Sequence, residues 1–119
     1  MKIRFHKGMS FEDWKQFSFA HQVLNIASEM NRAKNWMKQG DAAAVKDSLD
    51  RAYELIDLTI EAQGETSLLR ELLVFREWLG HFYPMESFSE QAIGEFVTSM
   101  KCLVDFDPES HLIKASLAA

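Results

Sequence analysis

Apolar residues recur along this chain at helical spacing in four blocks, and no block shows the period-two alternation of a half-buried strand. The first block predicts a helix over 11–38. Ser10 stands where a cap belongs, Glu12 and Asp13 fall in the first turn where acids complement the helix dipole, and Gly40 follows the end. Asp41 caps the second helix, whose Val45, Leu49, Ala52, Ile56 and Thr59 keep the alternating four-and-three spacing of a bundle seam until Gly64 stops it. The third helix starts after Thr66 or Ser67, repeats that spacing with Leu68, Leu72, Phe75, Leu79 and Phe82, and ends at Pro84. Ser87 with Glu90 forms a capping box for the fourth, which carries Ile93, Phe96, Met100 and Leu103 before Asp107-Pro108. One weak turn is expected over 109–119.

Connections of only a few residues make consecutive helices antiparallel neighbours. The expected fold is therefore all-α, an antiparallel up-down-up-down four-helix bundle with a long first helix. Residues 1–10 form an N-terminal arm, 11–105 the bundle and 106–119 a C-terminal tail. The first helix is the misfit: about 28 residues give a length of about 42 Å, against about 27 Å for a third helix of about 18 residues. Its overhanging first turns carry Phe11, Trp14, Phe17 and Phe19. Either a kink near Ser18 folds these aromatics back onto the bundle, or a dimer uses them, and the dimer is the preferred explanation.

The first helix also looks dressed for burial on two sides. At about 100° per residue, Val23, Ile26, Ala27, Met30, Ala33 and Met37 share one arc, while His21, Asn25, Ser28, Glu29 and Arg32 lie opposite, bracketed by Trp14 and Trp36. A solvated helix face is normally rich in Lys and Glu, whereas this mixture is common where polar groups are desolvated. The candidate interface is Trp14, His21, Asn25, Glu29, Arg32 and Trp36, packed on a two-fold mate or on a helical protein partner.

Composition narrows the class without naming an activity. A chain of 119 residues with 47% hydrophobic content is one domain able to bury a core without disulfides or metal. The start of the chain has no apolar run long enough for a signal peptide or a membrane span, so a soluble, cytoplasmic protein is expected. A single cysteine, Cys102, fits a reducing compartment and reads as a small packing residue. The net charge of −5 is uneven: residues 1–40 hold seven Lys/Arg against three acids, and the remainder six against fifteen. Overall acidity argues against non-specific nucleic-acid binding, and the basic and acidic halves suit head-to-tail or antiparallel self-docking.

Two constellations bear on chemistry. The third helix contains Arg76-Glu-Trp-Leu-Gly-His81, and small helical bundles with Arg, four to six residues, then His resemble the HEPN family, many of whose members are dimeric, metal-independent ribonucleases. The resemblance implies His81 as general acid or base and Arg76 as phosphate clamp. The family usually has Asn, Asp or His after the arginine, where Glu77 stands here. On a continuous helix the two side chains point about 140° apart, so they converge only if the helix unwinds near Gly80. The second constellation is Asp47, Asp50, Glu54, Asp57 and Glu61, spaced three and four along one face of the second helix. Facing carboxylates can hold Mg²⁺ or a di-iron centre, but no Glu-x-x-His accompanies this row and it lies away from the seam, so it reads as a solvated acidic face. The basic end of the first helix is its natural partner. His6, in the arm, and His111, in the tail, say little.

Asn25 to Trp36, Leu49 to Ile60 and Leu69 to Glu77 together resemble a set of small, uncharacterised bacterial helical proteins, over residues 14–82. That resemblance implies that Asn25, Glu29, Arg32, Trp36, Asp50, Arg51, Arg70, Glu71, Arg76 and Glu77 belong to one recurring design, either a salt-bridge network between helices or a site. The sequence thus points to a non-enzymatic, self-associating helical interaction module, with no cofactor and no metal. The alternative is a HEPN-like ribonuclease or its inactive toxin–antitoxin-type relative, the one case in which nucleic acid would be a partner.

Overall fold

The computed structural model of the chain describes residues 3–64 and 67–105, and every regular element in them is helical. In chain order these are α1 (Phe11–Gln16), α2 (Phe19–Gln39), α3 (Ala42–Gln63), α4 (Ser67–Leu79) and α5 (Glu90–Val104). The C-terminal tail, with its expected weak turn and His111, lies outside the described residues.

Local chemistry sets most of the helix ends. Ser10 accepts from the Asp13 backbone N–H while Asp13 accepts from that of Ser10, a reciprocal box that starts α1. Gly40 ends α2 in the left-handed region at φ 74°, which a side chain would resist, and Asp41 caps α3 by accepting from the Ala44 N–H. At the other end of α3, Gly64 again takes a positive φ, 58°.

Three expectations about these elements are corrected. The single helix over 11–38 is two helices, because Phe17 and Ser18 are extended (ψ 146° and 158°) and Ser18 re-caps the chain by accepting from the His21 N–H. The break lets α1 fold back onto α3, so no aromatic overhang exists and the kink, not the dimer, accounts for Trp14. The third helix stops at Leu79 rather than running to Pro84. Gly80, His81 and Phe82 donate to carbonyls three residues back, a tighter turn that still delivers Phe82 into the core. Lastly, α5 is capped by Ser89, which accepts from the Ala92 N–H, and not by Ser87.

The core forms where the predicted seams meet. Val23, Ile26, Met30 and Ala33 of α2 pack with Val45, Leu49, Ala52 and Ile56 of α3, and Phe75, Leu79 and Phe82 join Phe96, Met100 and Leu103. Phe82 meets Phe96 edge-to-face at 5.1 Å, the geometry that the ring quadrupoles favour. α2 packs on α3 and α5, and α4 packs on the same two, so α2 and α4 occupy diagonal positions.

Candidate functional site

The outer stripe of α2 divides into two parts. Its middle is exposed and self-satisfied: Asn25 donates to the His21 carbonyl at 2.9 Å, Ser28 to the Leu24 carbonyl at 3.0 Å, and the His21 ring stacks on Phe17 at 4.2 Å. None of these contacts needs a partner molecule. Trp36 and Arg32 are exposed on the same face. The remaining two candidates are not surface residues. Trp14 is 1% exposed, its indole donating to Thr59 Oγ1 at 3.1 Å, and Glu29 is buried. These are corrections to the interface as read from sequence, and their cause is the same: the chain's own N-terminal segment, folded back at Ser18, covers that side of α2 and α3.

What covers Glu29 is an ionic network centred on the arm. Glu54, buried on α3, accepts from three successive backbone N–H groups, Arg4 at 2.6 Å, Phe5 at 3.0 Å and His6 at 2.9 Å, and also meets His6 Nδ1 at 2.9 Å. The other imidazole nitrogen, His6 Nε2, lies 3.3 Å from Glu29 Oε1. Arg51 Nε completes the set 3.3 Å from Glu29 Oε2, with Arg32 at 3.6 Å. Burial works to raise the Glu54 pKa, but the hydrogen bonds from Arg4, His6 and Phe5 outweigh it and hold the carboxyl below the usual glutamate value.

The acidic row on α3 is therefore not the solvated face expected of it. Besides Glu54, Asp50 accepts from the Tyr83 hydroxyl at 2.9 Å, and Asp57 takes both Arg76 Nε at 2.6 Å and Arg76 Nη2 at 3.3 Å. Only Asp47 and Glu61 of the five are exposed. The row has basic partners, as expected, but they come from the arm and α4 and not from the end of α2. Among the described residues no group of three or more His, Cys, Asp or Glu side chains is placed to hold a metal ion.

Arg76 and His81 face different neighbours. The α-helix does end beside Gly80, in the tighter turn described above, yet the Arg76 guanidinium lies 5.0 Å over the Tyr53 ring with its fork on Asp57, and the hydrogen bond to Asp57 raises its pKa. His81 is exposed and lines a groove of about 650 Å³ with Val74, Glu77, Trp78 and Glu95. A phosphate clamp at Arg76 would first have to displace Asp57.

The groove beside His81 is the feature that sequence reasoning missed. Leu73, Val74 and Trp78 of α4 stand exposed, away from the buried Leu72, Phe75 and Leu79. The apolar residues outside the Leu68/Leu72/Phe75/Leu79 seam were the available signal. The role of His6 was also missed, and the hint lay on α3: Leu58, one turn beyond Glu54, is fully buried, so the core reaches the edge of the acidic row. Cys102, expected to pack, is exposed. No helix among the described residues is long and apolar enough to cross a membrane.

Compared with known proteins, the chain matches no family model, no curated protein and no solved structure.

Proposed function

We propose that this chain is a non-enzymatic interaction module that associates with itself through the outer faces of α2 and α4. The placement of its exposed large hydrophobic side chains carries the reading. Leu24 and Trp36 on α2, with Leu73, Val74 and Trp78 on α4, are between 39% and 58% exposed. Two tryptophans and their aliphatic neighbours rimmed by charge have the composition of protein contact surfaces, where aromatic side chains supply the buried area. The polar candidates support the same reading from the other side. Arg76, Asp57, Glu29, Glu54 and His6 are each held in hydrogen bonds within the chain, an arrangement suited to stiffening a scaffold rather than to moving protons on a substrate.

Two short links, Gly40 and Asp41 between α2 and α3 and residues 64–66 between α3 and α4, favour an antiparallel order for α2, α3 and α4, and the ten residues 80–89 before α5 are compatible with its continuing up-down-up-down. An exposed single thiol at Cys102 suits a reducing cytoplasm.

Light scattering across a concentration series tests the function. The expected outcome is a mass that rises above the 13.7 kDa of one chain as concentration increases. A constant single-chain mass throughout the series would overturn the proposal.

A further inference from the structure

We infer that residues 3–16 exchange between copies of this chain: the break at Phe17 and Ser18 straightens, and the arm and α1 of one copy take the places on a second copy that they fill in their own. This association is separate from the outer-face contact proposed above, because it reuses contacts that already exist inside the chain. Each other junction between the helices contains a glycine, Gly40, Gly64 or Gly80, and the first two take a positive φ that other residues resist. The junction between α1 and α2 has none. No Gly or Pro occurs from Met9 to Gln39, and Phe17 and Ser18 hold ordinary extended angles. Phe17 and His21 already stack at 4.2 Å across the break, and their spacing of four is that of neighbours on one helix face.

What bends the chain is therefore the cap at Ser18 together with the contacts made across the break. The N–H groups of Arg4, Phe5 and His6 bind Glu54, the His6 ring meets Glu29, the Trp14 indole binds Thr59, and Gln22 donates to the Trp14 carbonyl at 2.9 Å. None of these bonds depends on which copy supplies residues 3–16. Joined into one helix over 11–39, α1 and α2 would run about 43 Å and carry Trp14 and the arm clear of their own α3. The vacated slot beside Thr59 and the Glu54 carboxylate are then met by the same residues of the second copy. Each copy gives one segment and receives one, so the exchange is reciprocal and closes as a two-fold dimer.

Two substitutions at one position test the exchange with opposite expected outcomes. Ser18→Ala and Ser18→Pro both remove the hydroxyl that caps α2. Proline fits the bent form, since Ser18 has φ −60° and Phe17 before it is extended at ψ 146°, but it blocks a continuous helix. Alanine favours one. Each chain is unfolded in urea, refolded at high protein concentration and diluted, and its two-chain fraction is read by size-exclusion chromatography with light scattering. An exchanged dimer separates only when the segment detaches, so it persists on dilution where a surface contact relaxes. The persistent two-chain fraction should be at least tenfold larger in Ser18→Ala than in Ser18→Pro, with the unaltered chain between them, and Trp78→Ala should leave it unchanged. Equal fractions in the two Ser18 variants overturn the inference, as does a lack of persistent dimer in both the unaltered chain and Ser18→Ala. If circular dichroism shows that Ser18→Pro is not folded, the comparison of Ser18→Ala with the unaltered chain decides: a rise supports exchange and no rise overturns it. A two-chain species abolished by Trp78→Ala belongs to the outer faces, so exchange fails while the proposed function stands. A single-chain mass at every concentration before unfolding, with a persistent dimer after refolding, removes that function and leaves the exchange.

Discussion

The arm side of the molecule and the outer face of α4 treat their surface chemistry in opposite ways. On the arm side, polar residues are covered: Glu54 and Glu29 are buried, and His6, Arg51 and three backbone N–H groups supply their hydrogen bonds. On α4, apolar residues are bare, with Leu73, Val74 and Trp78 facing solvent beside a groove lined by carboxylates. Polarity along a helix therefore does not identify the face left open to solvent. The most acidic row of the chain is the one that its own N-terminal segment uses, and the face left to solvent on α4 is one where hydrophobic residues are in surplus.

The contrast breaks most sharply at Trp14. Replacing it with Ala removes a buried indole and its bond to Thr59, and should cost about 3 to 5 kcal/mol, read as a lower midpoint in urea unfolding. A loss under 1 kcal/mol would mean that α1 does not anchor the arm side.

Acid should come next. The Glu54 pKa is depressed in the folded state, so its contribution is complete above the ordinary carboxylate range and is lost as pH falls through the folded value. Hydrogen bonds to a charged group contribute about 1.5 to 3 kcal/mol, so unfolding free energy should drop by about that amount as pH falls from the ordinary glutamate range through the lower folded value. In Glu54→Gln this part of the acid limb should be absent, and an unchanged limb would remove Glu54 from the account.

The smallest effect on stability belongs to the bare face. Trp78→Ala should lower the unfolding free energy by about 1 kcal/mol, less than either change above, while weakening association, since Trp78 is 39% exposed and lies outside the core seam. A destabilisation above 2 kcal/mol would make Trp78 a core residue and erase the contrast between the two sides.

Whatever depended on neighbouring residues was legible in the sequence. Ser10, Gly40, Asp41 and Gly64 act within one turn of the helix that they start or stop, and the seams of α3 and α5 came through because a periodic apolar face needs no knowledge of its partner. Whatever depended on distant residues was not. A kink near Ser18 is one of two readings of the sequence, and only the meeting of Trp14 with Thr59 decides for it, while Glu54 is one acid among five until the arm's N–H groups arrive from about 50 positions away. Of the six residues read as an interface, Trp14, which falls on α1, and Glu29 lie beneath the same chain. The cap of α5 slipped from Ser87 to Ser89 because both serines offer the same oxygen and only the local backbone chooses between them.

The fastening of the arm to α3 also sets a timetable. Arg4 binds Glu54 and Trp14 binds Thr59, so each early residue is separated from its anchor by 45 to 50 positions. At about 5 to 20 residues per second, a ribosome needs roughly 2 to 10 seconds to supply those anchors after the arm is made. The arm is thus made before its anchors, and during that interval the hydrophobic slot destined for Trp14 does not yet exist.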